Sequence, residues 1–509
     1  MKPINRIYTA SAIVSICGIT FQVLLGALGS YTFGDGVRQY AFTIGFFLSG
    51  MGIGSALSER VIKHLIERFI VVELIIGTVG GFSSFVLFWV LAYSDYEAGQ
   101  VMLFAMTILI GMLTGLELPI LIRRASEIGE QLNRSTARVL FSDYAGSLIG
   151  AVGFALLLRP WLGMIKTAFL IGLINLAVAM WMVFSFRGEL RRPRWLQSAA
   201  LSLMALMMLG FLFGEQYAFG FEQKLYRDPI VRSFDTPYQR VVLTKEQDTV
   251  RLYLNGNIQF SSSDEYRYHE SLVHPAMSAT SHHDQILVLG GGDGMAVREL
   301  LKYEDVERIT VVDLDEQFVS FAMEEPLMQS LHEQSLQSPK VRLKHMDAFE
   351  FLKEDNHLYD VVIVDLPDPN NESLNKLYTV HFYQLLRNHL HPDGFAAIQA
   401  TSPLFAVKAY WTIDATLQEA GLKTMNYHAD IPSFGDWGFI LASRKQLSPE
   451  ELTVQVPTRY LTNEVIPALF RFGKDQDNVT DSGEQLPVEP NTLNHPTLLH
   501  VYQEAWQNY

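Results

Sequence analysis

Acidic side chains follow several apolar runs in the second half of the chain. Asp313 ends the run RITVVD, Asp347 follows VRLKHM, and Asp365 ends VVIVD. In an open α/β sheet such positions lie at the carboxyl edge, where ligands bind. A carboxylate there can bind ribose hydroxyls, accept a hydrogen bond from an adenine amino group, or take a proton from an amine. One such acid alone serves equally well as a helix cap, but several in register after strands favour a shared site.

A glycine loop precedes these acids. The apolar run ILVL leads into Gly290-Gly291-Gly292-Asp293-Gly294, and a helical pattern follows. A strand, a glycine turn, a helix and a second strand ending in an acid form a nucleoside-binding unit, because glycine lets the backbone approach the ligand closely. Asp293 distinguishes this loop from a dinucleotide site, since a carboxylate repels a pyrophosphate and attracts a cation. The loop, including Gly290 and Gly292, therefore predicts a nucleoside that carries positive charge.

Alternating strands and helices position these residues. Over residues 276–445, apolar strands alternate with amphipathic helices, which predicts a Rossmann-like domain with a mostly parallel sheet. The preceding segment, 237–275, is predicted to be a small β-rich hairpin domain with a turn at Asn255-Gly256. Residues 446–509 are polar and rich in proline and asparagine. They predict a C-terminal extension with short helices and loose ends.

The first 214 residues are unusually apolar. They predict a multi-pass α-helical membrane domain over residues 1–214 with about seven helices, because about 20 apolar residues are needed to cross a bilayer. A linker is predicted over 215–236. No small-residue cleavage site follows the first segment, so we expect no removed signal peptide. The alternative is a set of buried helices in a large soluble protein. The apolar segments cover residues 8–32, 39–57, 69–93, 101–122, 139–158, 163–186 and 196–214.

We expect the helices to lie in the cell membrane, which is the inner membrane where a cell has two. Basic residues indicate which side of it the loops face. Three alternate loops carry basic clusters, and the positive-inside rule places them in the cytoplasm together with Lys2 and Arg6. With seven crossings, everything after residue 214 would lie outside the cytoplasm. Either the chemistry takes place there, or one apolar segment does not cross. The basic clusters are Arg60/Lys63/Arg68, Arg123/Arg124/Arg134/Arg138 and Arg187/Arg191/Arg192/Arg194.

The two parts of the chain differ in charge. The whole chain has 39 Lys and Arg and 54 Asp and Glu. Residues 1–214 hold 16 of these basic residues and 11 of the acidic ones, which leaves 23 and 43 for residues 215–509. An acidic second half repels nucleic acid and attracts small cations, which excludes nucleic acid as the expected partner. The only cysteine, Cys17, excludes a disulfide or zinc-cysteine framework.

Some polar and small residues interrupt the apolar segments. Carboxylates inside a membrane are expensive and often functional, although these lie near predicted segment ends, where capping is an equal alternative. Glycines at helical spacing predict close helix packing. The carboxylates are Glu73, Glu117 and Asp143, and the glycines are Gly50, Gly52 and Gly54 in one set and Gly146, Gly150 and Gly153 in another.

Residues 238–443 resemble the aminopropyltransferases of the spermidine synthase family, which move an aminopropyl group from decarboxylated S-adenosylmethionine to an amine. The resemblance covers about two fifths of the chain and implies a class I methyltransferase-like catalytic domain. The first half is similar to that of bacterial proteins in which a multi-helix domain precedes such a domain. The matching features are Tyr238-Gln239, LNGNIQ before Asp264-Glu265, Tyr268-His269-Glu270, the GGGDG loop, Asp313, Asp347-Ala348, the span from Asp365 to Pro369, and Gln399.

The resemblance implies transfer to putrescine or a related amine, giving spermidine and 5′-methylthioadenosine. Methylthioadenosine leaves the donor sulfonium as a neutral group, so no metal, cofactor or covalent intermediate is required. An alkylamine, with a pKa of about 10.4 by analogy with lysine, must lose a proton before it attacks, and Asp365 is the expected proton acceptor. By the same resemblance, Gln239, Asp313, Asp347 and Ala348 hold the donor with the glycine loop, and Tyr268, His269, Asp293, Asp368 and Gln399 hold the amine.

The acceptor side departs from the family pattern. Leu366 and Pro367 replace small hydroxyl residues, Asn370-Asn371-Glu372 replaces a Gly-Pro step, and the segment Ile431-Pro432-Ser433-Phe434 lacks a tyrosine. A different amine, or one delivered from the membrane, is therefore an alternative acceptor.

Two other functions stay open at this point. One is a small-molecule methyltransferase that uses S-adenosylmethionine. The other is a polyamine-binding transporter or sensor with an inactive synthase-like domain. By resemblance, we expect a homo-oligomer, a dimer or a tetramer, whose first half contacts membrane lipid.

Overall fold

The computed structural model describes residues 2–33, 36–94, 96–128, 131–446, 448–480 and 483–506. The chain divides into two compact units, Met1–Ile230 and Val231–Tyr509. The described part of the first unit contains seven long helices. They are α1 (Pro3–Phe33), α2 (Gly36–Leu57), α3 (Leu65–Tyr93), α4 (Tyr96–Glu127), α5 (Leu132–Gly153), α6 (Arg159–Ser185) and α7 (Pro193–Leu225), with a π turn at Phe154–Leu158 between α5 and α6.

Helices α5 and α6 belong to one continuous helical run that turns back on itself. Gly163 breaks the run with φ 67° and ψ −176°. The Arg6 guanidinium, at the start of α1, donates to the Ser185 carbonyl, at the end of α6, at 2.8 Å. The Arg138 guanidinium, near the start of α5, lies 5.9 Å from the centre of the Tyr8 ring on α1. The run therefore begins and ends at the same end of the bundle, and the seven predicted segments correspond to α1–α7.

The basic loops lie together at that end of the bundle. The Arg123 guanidinium donates to the Val61 carbonyl at 3.0 Å, which joins the α2–α3 loop to α4. Arg124 forms an ion pair of 2.5 Å with Glu189, which joins α4 to the α6–α7 loop. The three clusters that the sequence assigned to one side of a membrane are thus neighbours in the structure.

By length and composition, six helical runs among the described residues can cross a membrane, one of them the joined run Asn133–Ser185. Helices α2 and α7 direct many large apolar side chains outward. An apolar surface of this extent suits lipid and not water. Examples are Phe42, Leu48 and Ile53 on α2 and Leu201, Leu209 and Leu212 on α7.

Glycines allow α2 and α4 to pack with their backbones in close approach. A Cβ atom built on Gly50 or Gly54 would meet the backbone of α4, whereas one built on Gly52 would have nothing within 4 Å. The predicted close packing is therefore confirmed at the first two positions and wrong at the third. In the second set, Gly146 and Gly150 meet the backbone of α1, and Gly153 has nothing within 4 Å.

A small sheet begins the second unit. Its strands follow one another in space as in sequence, and Asn255 and Gly256, with φ of 50° and 82°, form the hairpin turn between the last two strands. The strands are β1 (Ile230–Asp235), β2 (Arg240–Glu246), β3 (Thr249–Leu254) and β4 (Asn257–Ser261).

The linker predicted over 215–236 is wrong. Helix α7 continues to Leu225, and β1 already begins at Ile230. A Cβ atom on Gly214 would lie 2.7 Å from the Phe169 ring. This glycine therefore serves close packing between α6 and α7 and does not end the helix.

A seven-stranded sheet with helices on both faces forms the rest of the second unit. The strand order is β10-β11-β9-β8-β5-β6-β7. The five strands β5, β6, β7, β8 and β9 all run parallel to one another. The strands are β5 (Gln285–Gly290), β6 (Arg308–Asp313), β7 (Val341–His345), β8 (Tyr359–Asp365), β9 (Leu390–Gln399), β10 (Lys423–Ile431) and β11 (Gly435–Ser443). The helices are α8 (Glu265–Ala279), α9 (Met295–Leu300), α10 (Glu316–Glu324), α11 (Pro326–Leu331), α12 (Ala348–Glu354), α13 (Glu372–Asn375), α14 (Val380–His389) and α15 (Val407–Glu419).

The alternation of side chains along β5 divides the core into two layers. Ile286 and Val288 pack in one layer, and Leu287 and Leu289 pack in the other, all fully buried. Because both faces are covered, the parallel strands read as continuous apolar runs. This Rossmann-like arrangement was predicted, and it places the carboxyl ends of five parallel strands along one edge.

The C-terminal segment is folded against the α/β domain. The Glu270 carboxylate on α8 accepts hydrogen bonds from the backbone of residues 459, 460 and 461 at 2.7 to 2.9 Å. Leu461, Ile466 and Leu498 are almost fully buried. The prediction of loose ends was therefore wrong, because a few apolar residues spaced among polar ones anchor this segment. Its helices are α16 (Ile466–Leu469) and α17 (Thr497–Trp506).

Candidate active site

Asp365 lies beside the glycine loop at the carboxyl edge of the sheet. Its side chain accepts a hydrogen bond of 2.7 Å from the Tyr268 hydroxyl, and its carbonyl accepts one of 3.2 Å from the Gly291 amide. A Cβ atom on Gly290, where φ is 83°, would collide with that carbonyl. The glycine at position 290 is therefore required for the loop to reach the end of β8.

The environment adjusts Asp365 to proton transfer. Burial and the neighbouring Asp293 carboxylate raise its pKa to about 6, while the charge on His269 and the Tyr268 hydrogen bond oppose the rise. At pH 7 most of this carboxyl group is ionised and still has a far higher proton affinity than an ordinary aspartate. A group with these properties is suited to general-base catalysis.

His269 is held as a cation by a buried acid. Its Nδ1 lies 2.8 Å from Glu265 Oε2, and Glu265 also forms a two-point contact with the Arg298 guanidinium at 3.0 Å. Burial works against the charge on His269, but Glu265, Asp293 and Asp365 together raise its pKa to about 9. An imidazolium repels an ammonium group, so His269 is better suited to balancing the nearby carboxylates than to binding the amine directly.

Asp313 ends β6 on the other side of the glycine loop. Its Oδ2 accepts from the Gly292 amide at 3.1 Å, and its Oδ1 accepts from the Asp315 amide at 2.9 Å. Burial is the main reason that its pKa is raised to about 6. The structure therefore brings the expected ribose-binding acid and the glycine loop into contact.

Gln239 connects the small sheet to the end of β6. Its amide nitrogen donates to Asp315 Oδ2 at 2.8 Å, and the Thr236 hydroxyl donates to the same oxygen at 2.7 Å. Gln239 thus reaches the end of β6 through an acid to which the sequence assigned no binding role. Its contact residue is next to the Asp313 carboxylate along the chain.

Asp347 reaches the same edge as the N-cap of α12. Its Oδ1 accepts from the amides of Phe349 and Glu350 at 2.8 and 3.3 Å, and its Oδ2 forms an ion pair of 2.6 Å with Lys376. Ala348, the first residue of α12, is buried. The cap role that applied to any single strand-end acid is therefore the one seen for Asp347.

Asp368 is fixed by donors from three elements. Its oxygens accept from the Thr401 hydroxyl at 2.9 Å, from the Gln399 amide at 3.2 Å, and from the Tyr502 hydroxyl on α17. Burial raises the pKa of Asp368, although these hydrogen bonds oppose the rise. Asp365 and Asp368 are thus a pair of partly buried carboxylates, one at the end of β8 and one in the segment that follows it.

Gln399 acts within the protein at both ends of its amide. Its nitrogen also lies against the Leu366 carbonyl and the Tyr378 hydroxyl, and its oxygen accepts from the Trp437 indole at 3.3 Å. Gln399 therefore lies beside Asp368 and positions both Asp368 and Trp437, and its contact with the amine stays a prediction.

Sequence reasoning missed three aromatic residues near Asp365 and Asp368. The Phe434 ring lies 6.0 Å from the Tyr268 ring and 5.5 Å from the Trp437 ring, and Tyr502 contacts Asp368. Aromatic faces attract ammonium groups. Phe434 was considered only as the position of the missing tyrosine, and the sequence assigned no role to Trp437. No local signal indicated Tyr502.

Comparison with known proteins identifies the family. Residues 265–453 match the model of the Spermine/spermidine synthase domain. A polyamine aminopropyltransferase from Oceanobacillus iheyensis is 52% identical over 505 residues, which cover 99% of this chain and 98% of that protein. The chain belongs to the polyamine aminopropyltransferase family.

Other members agree along the whole chain. Polyamine aminopropyltransferase 1 of Ralstonia nicotianae is 40% identical over 516 residues, covering 99% of this chain and 97% of that protein. The solved spermidine synthase of Thermotoga maritima is 23% identical, with a TM-score of 0.43, and covers 48% of this chain and 85% of its own. The two full-length relatives show that the helical unit is shared within the family.

Membership in the polyamine aminopropyltransferases establishes the reaction class. The enzyme transfers an aminopropyl group from decarboxylated S-adenosylmethionine to an amine of the polyamine class, and the family uses no metal or other cofactor. The predictions of family, fold class and enzyme activity are confirmed. The family does not support the methyltransferase or the inactive binding protein as an alternative.

Proposed function

We propose that this enzyme uses putrescine or a closely related diamine as acceptor, with Asp365 as the proton acceptor. The observation that carries the proposal is the buried contact of Asp365 with Tyr268, beside the glycine loop and Asp293. A diamine presents two ammonium groups. Two carboxylates, Asp365 and Asp368, lie at the carboxyl edge of the sheet and can each pair with one of them.

The donor is bound on the β6 and β7 side of the loop. Asp313 takes the ribose hydroxyls, and Gln239 supports this end of the site through Asp315. Ala348 and the capped Asp347 border the adenine. Asp293 binds the ammonium group at the end of the aminopropyl chain, and His269 offsets part of the charge that Asp293 and Asp365 bring together.

The acceptor is bound on the β8 and β9 side. One ammonium group of the diamine pairs with Asp368, and the rings of Tyr268, Phe434 and Trp437 border the chain. Asp365 takes a proton from the other amine. The amine nitrogen then forms a bond to the aminopropyl carbon while the bond between that carbon and sulfur breaks. The electron pair of the broken bond stays on sulfur. Methylthioadenosine leaves as a neutral thioether, so the main task of the site is orientation.

The purified full-length protein tests the acceptor. It is given decarboxylated S-adenosylmethionine with diamines of increasing length, and methylthioadenosine release is measured. The highest kcat/KM is expected with putrescine. Release with only a longer or branched amine would replace putrescine as acceptor, and no release with any di- or polyamine would overturn the enzyme assignment. Methyl transfer from S-adenosylmethionine would favour a methyltransferase.

We also propose that the helical unit lies in the cell membrane, in contact with lipid, and that the enzyme is a homo-oligomer. The outward apolar faces of α2 and α7 and the grouped basic loops support the first point. An odd number of crossings places residues after Leu225 on the side opposite the basic loops. In that case a phosphatase fused after residue 190 would be inactive, and one fused after residue 228 would be active. Light scattering in detergent measures the mass of the oligomer.

A further inference from the structure

Two carboxyl groups meet in the interior of the helical unit. Glu73 on α3 and Glu117 on α4 are 0% and 5% exposed, and the two carboxyl groups lie close enough to interact electrostatically. A third helix adds Asn175, on α6, whose amide nitrogen donates to Glu73 Oε2 at 2.7 Å and to the Glu73 carbonyl at 3.1 Å. Three helices thus meet at one polar cluster.

The cluster has more hydrogen-bond acceptors than donors. Glu73 Oε1 and Asn175 Oδ1 are buried and have no donor among the described residues. No ion pair recorded for those residues includes Glu73 or Glu117. Because an amide oxygen and nitrogen share one carbon atom, Asn175 Oδ1 lies beside the carboxyl group that its nitrogen binds. Two buried carboxyl groups in contact repel each other when both are ionised, so either a cation lies between them or they share a proton.

The surroundings increase the negative potential. Asp143 on α5 and Cys17 on α1 are the other titratable groups that interact electrostatically with the pair. The Ser15 hydroxyl of α1 donates to the Asp143 carbonyl at 2.6 Å, which brings α1 and α5 to the same level of the bundle. These neighbours are an acid and a thiol, and neither brings positive charge to the pair.

The donor chemistry of a primary ammonium fits this cluster. An ammonium group offers three N–H donors and no acceptor, and the cluster offers Glu73 Oε1, the Glu117 carboxylate and Asn175 Oδ1 as acceptors. A hard divalent cation prefers six or more oxygens, and no three carboxylates among the described residues are grouped to hold a metal. A buried ammonium group needs charged hydrogen-bond partners, which buried carboxylates provide and a surface exposed to lipid does not.

We propose that Glu73, Glu117 and Asn175 form a second binding site, in the helical unit, for one ammonium group of a di- or polyamine. The choice of ligand rests on the proposed function, since polyamines are the substrate and product class of the enzyme. The site is separate from the carboxylates at the edge of the α/β sheet, because all of its residues belong to α3, α4 and α6.

Equilibrium binding to the full chain in lipid nanodiscs tests the proposal. Radiolabelled spermidine is the probe, and wild type is compared with the double variant E73Q/E117Q and with E97Q, a matched change at an exposed glutamate of α4. Two bound spermidines per chain are expected for wild type and E97Q, and one for the double variant. Equal stoichiometry in all three would overturn the proposal and leave only a shared proton between the carboxyl groups.

Two further measurements keep the test decisive. The only cysteine, Cys17, is buried, so its reaction with a thiol reagent reports whether E73Q/E117Q has kept its fold. If that variant unfolds, wild type is treated with a hydrophobic carbodiimide, and mass spectrometry follows modification of Glu73 and Glu117. Protection by spermidine is expected, and no protection would overturn the proposal. Aminopropyl transfer by wild type is assayed in parallel, so loss of the proposed function is recognised independently.

Discussion

The Tyr502 hydroxyl donates a hydrogen bond to the Asp368 carboxylate, joining the last described helix to the acceptor edge of the sheet. Thr401 and Gln399 provide the other donors to the same carboxylate. Asp368 is therefore held in one orientation by residues from β9, the loop after it, and α17. The C-terminal segment therefore contacts a carboxylate of the proposed acceptor site.

Changing Tyr502 to phenylalanine should weaken acceptor binding. The variant leaves a buried carboxylate with one donor fewer, and a hydrogen bond to a charged group contributes about 1.5 to 3 kcal/mol. KM for the diamine should rise about tenfold or more, with KM for the donor and kcat changed little. The control is Y383F, which removes a buried hydroxyl with no partner among the described residues. An equal rise in both KM values would contradict the positioning role.

Replacement of Asp365 by asparagine should stop turnover and leave donor binding intact. Asparagine keeps the size of the side chain and cannot accept the amine proton, so kcat should fall about 10²- to 10⁴-fold. Calorimetry with methylthioadenosine should give an unchanged Kd. D248N, in the exposed turn between β2 and β3, is the control. Normal kcat in D365N would remove Asp365 from the base role.

The acid limb of the pH–rate profile should report Asp365. A base is active only when deprotonated, so kcat/KM should fall as the pH decreases through about 6, the raised pKa of this group. The Tyr268 hydrogen bond stabilises the charged form and lowers the pKa. In Y268F the limb should therefore move to higher pH by about one unit. A matched variant, Y303F, removes a hydroxyl that contacts His274, and its limb should stay in place.

A limb near pH 4 in the wild-type enzyme would show that Asp365 titrates as an ordinary aspartate. A limb at the same pH in wild type and Y268F would separate Tyr268 from the base. Either result would require another proton acceptor, and the pH profile of D368N would then be the next measurement.

The helical unit should distinguish two glycines that are two residues apart. Alanine at Gly54 collides with the backbone of α4, whereas alanine at Gly52 projects into open space. Overpacking of this kind costs about 1 to 3 kcal/mol. Thermal unfolding in detergent, followed by loss of the monodisperse peak in size-exclusion chromatography, should occur several degrees lower for G54A and be unchanged for G52A. Equal midpoints would argue against the close approach of α2 and α4.

Local patterns predicted the part of the site that local structure controls. The glycine loop, Asp313 and Asp365 follow apolar runs directly, and parallel pairing places the ends of such runs on one edge. Asn255-Gly256 predicted the hairpin turn because such a turn needs positive φ at both central positions, and asparagine and glycine are among the few residues that adopt it readily. In these cases the chemistry and the conformation are encoded within a few neighbouring residues.

Other parts depend on contacts that no local pattern specifies. Tyr502 and Trp437 reach the acceptor side only after distant segments pack together. Asp347 has the same position along the chain as the other acids, yet two backbone amides and Lys376 occupy its carboxylate. The Phe169 ring packs against Gly214 in the middle of α7, and no local pattern in the sequence places the two side by side.

The central position of β5 in the sheet has a consequence for how this enzyme diversifies. The chain builds β6 and β7 on one side of β5 before it crosses to β8 and β9 on the other. Among the carboxylates of the proposed site, Asp313 and Asp347 are therefore encoded in the stretch that builds β6 and β7, and Asp365 and Asp368 in the stretch that begins with β8. Recombination near residue 355 could exchange the amine preference while leaving the nucleoside pocket intact, and a chimaera joined there with an Oceanobacillus iheyensis relative should still bind methylthioadenosine.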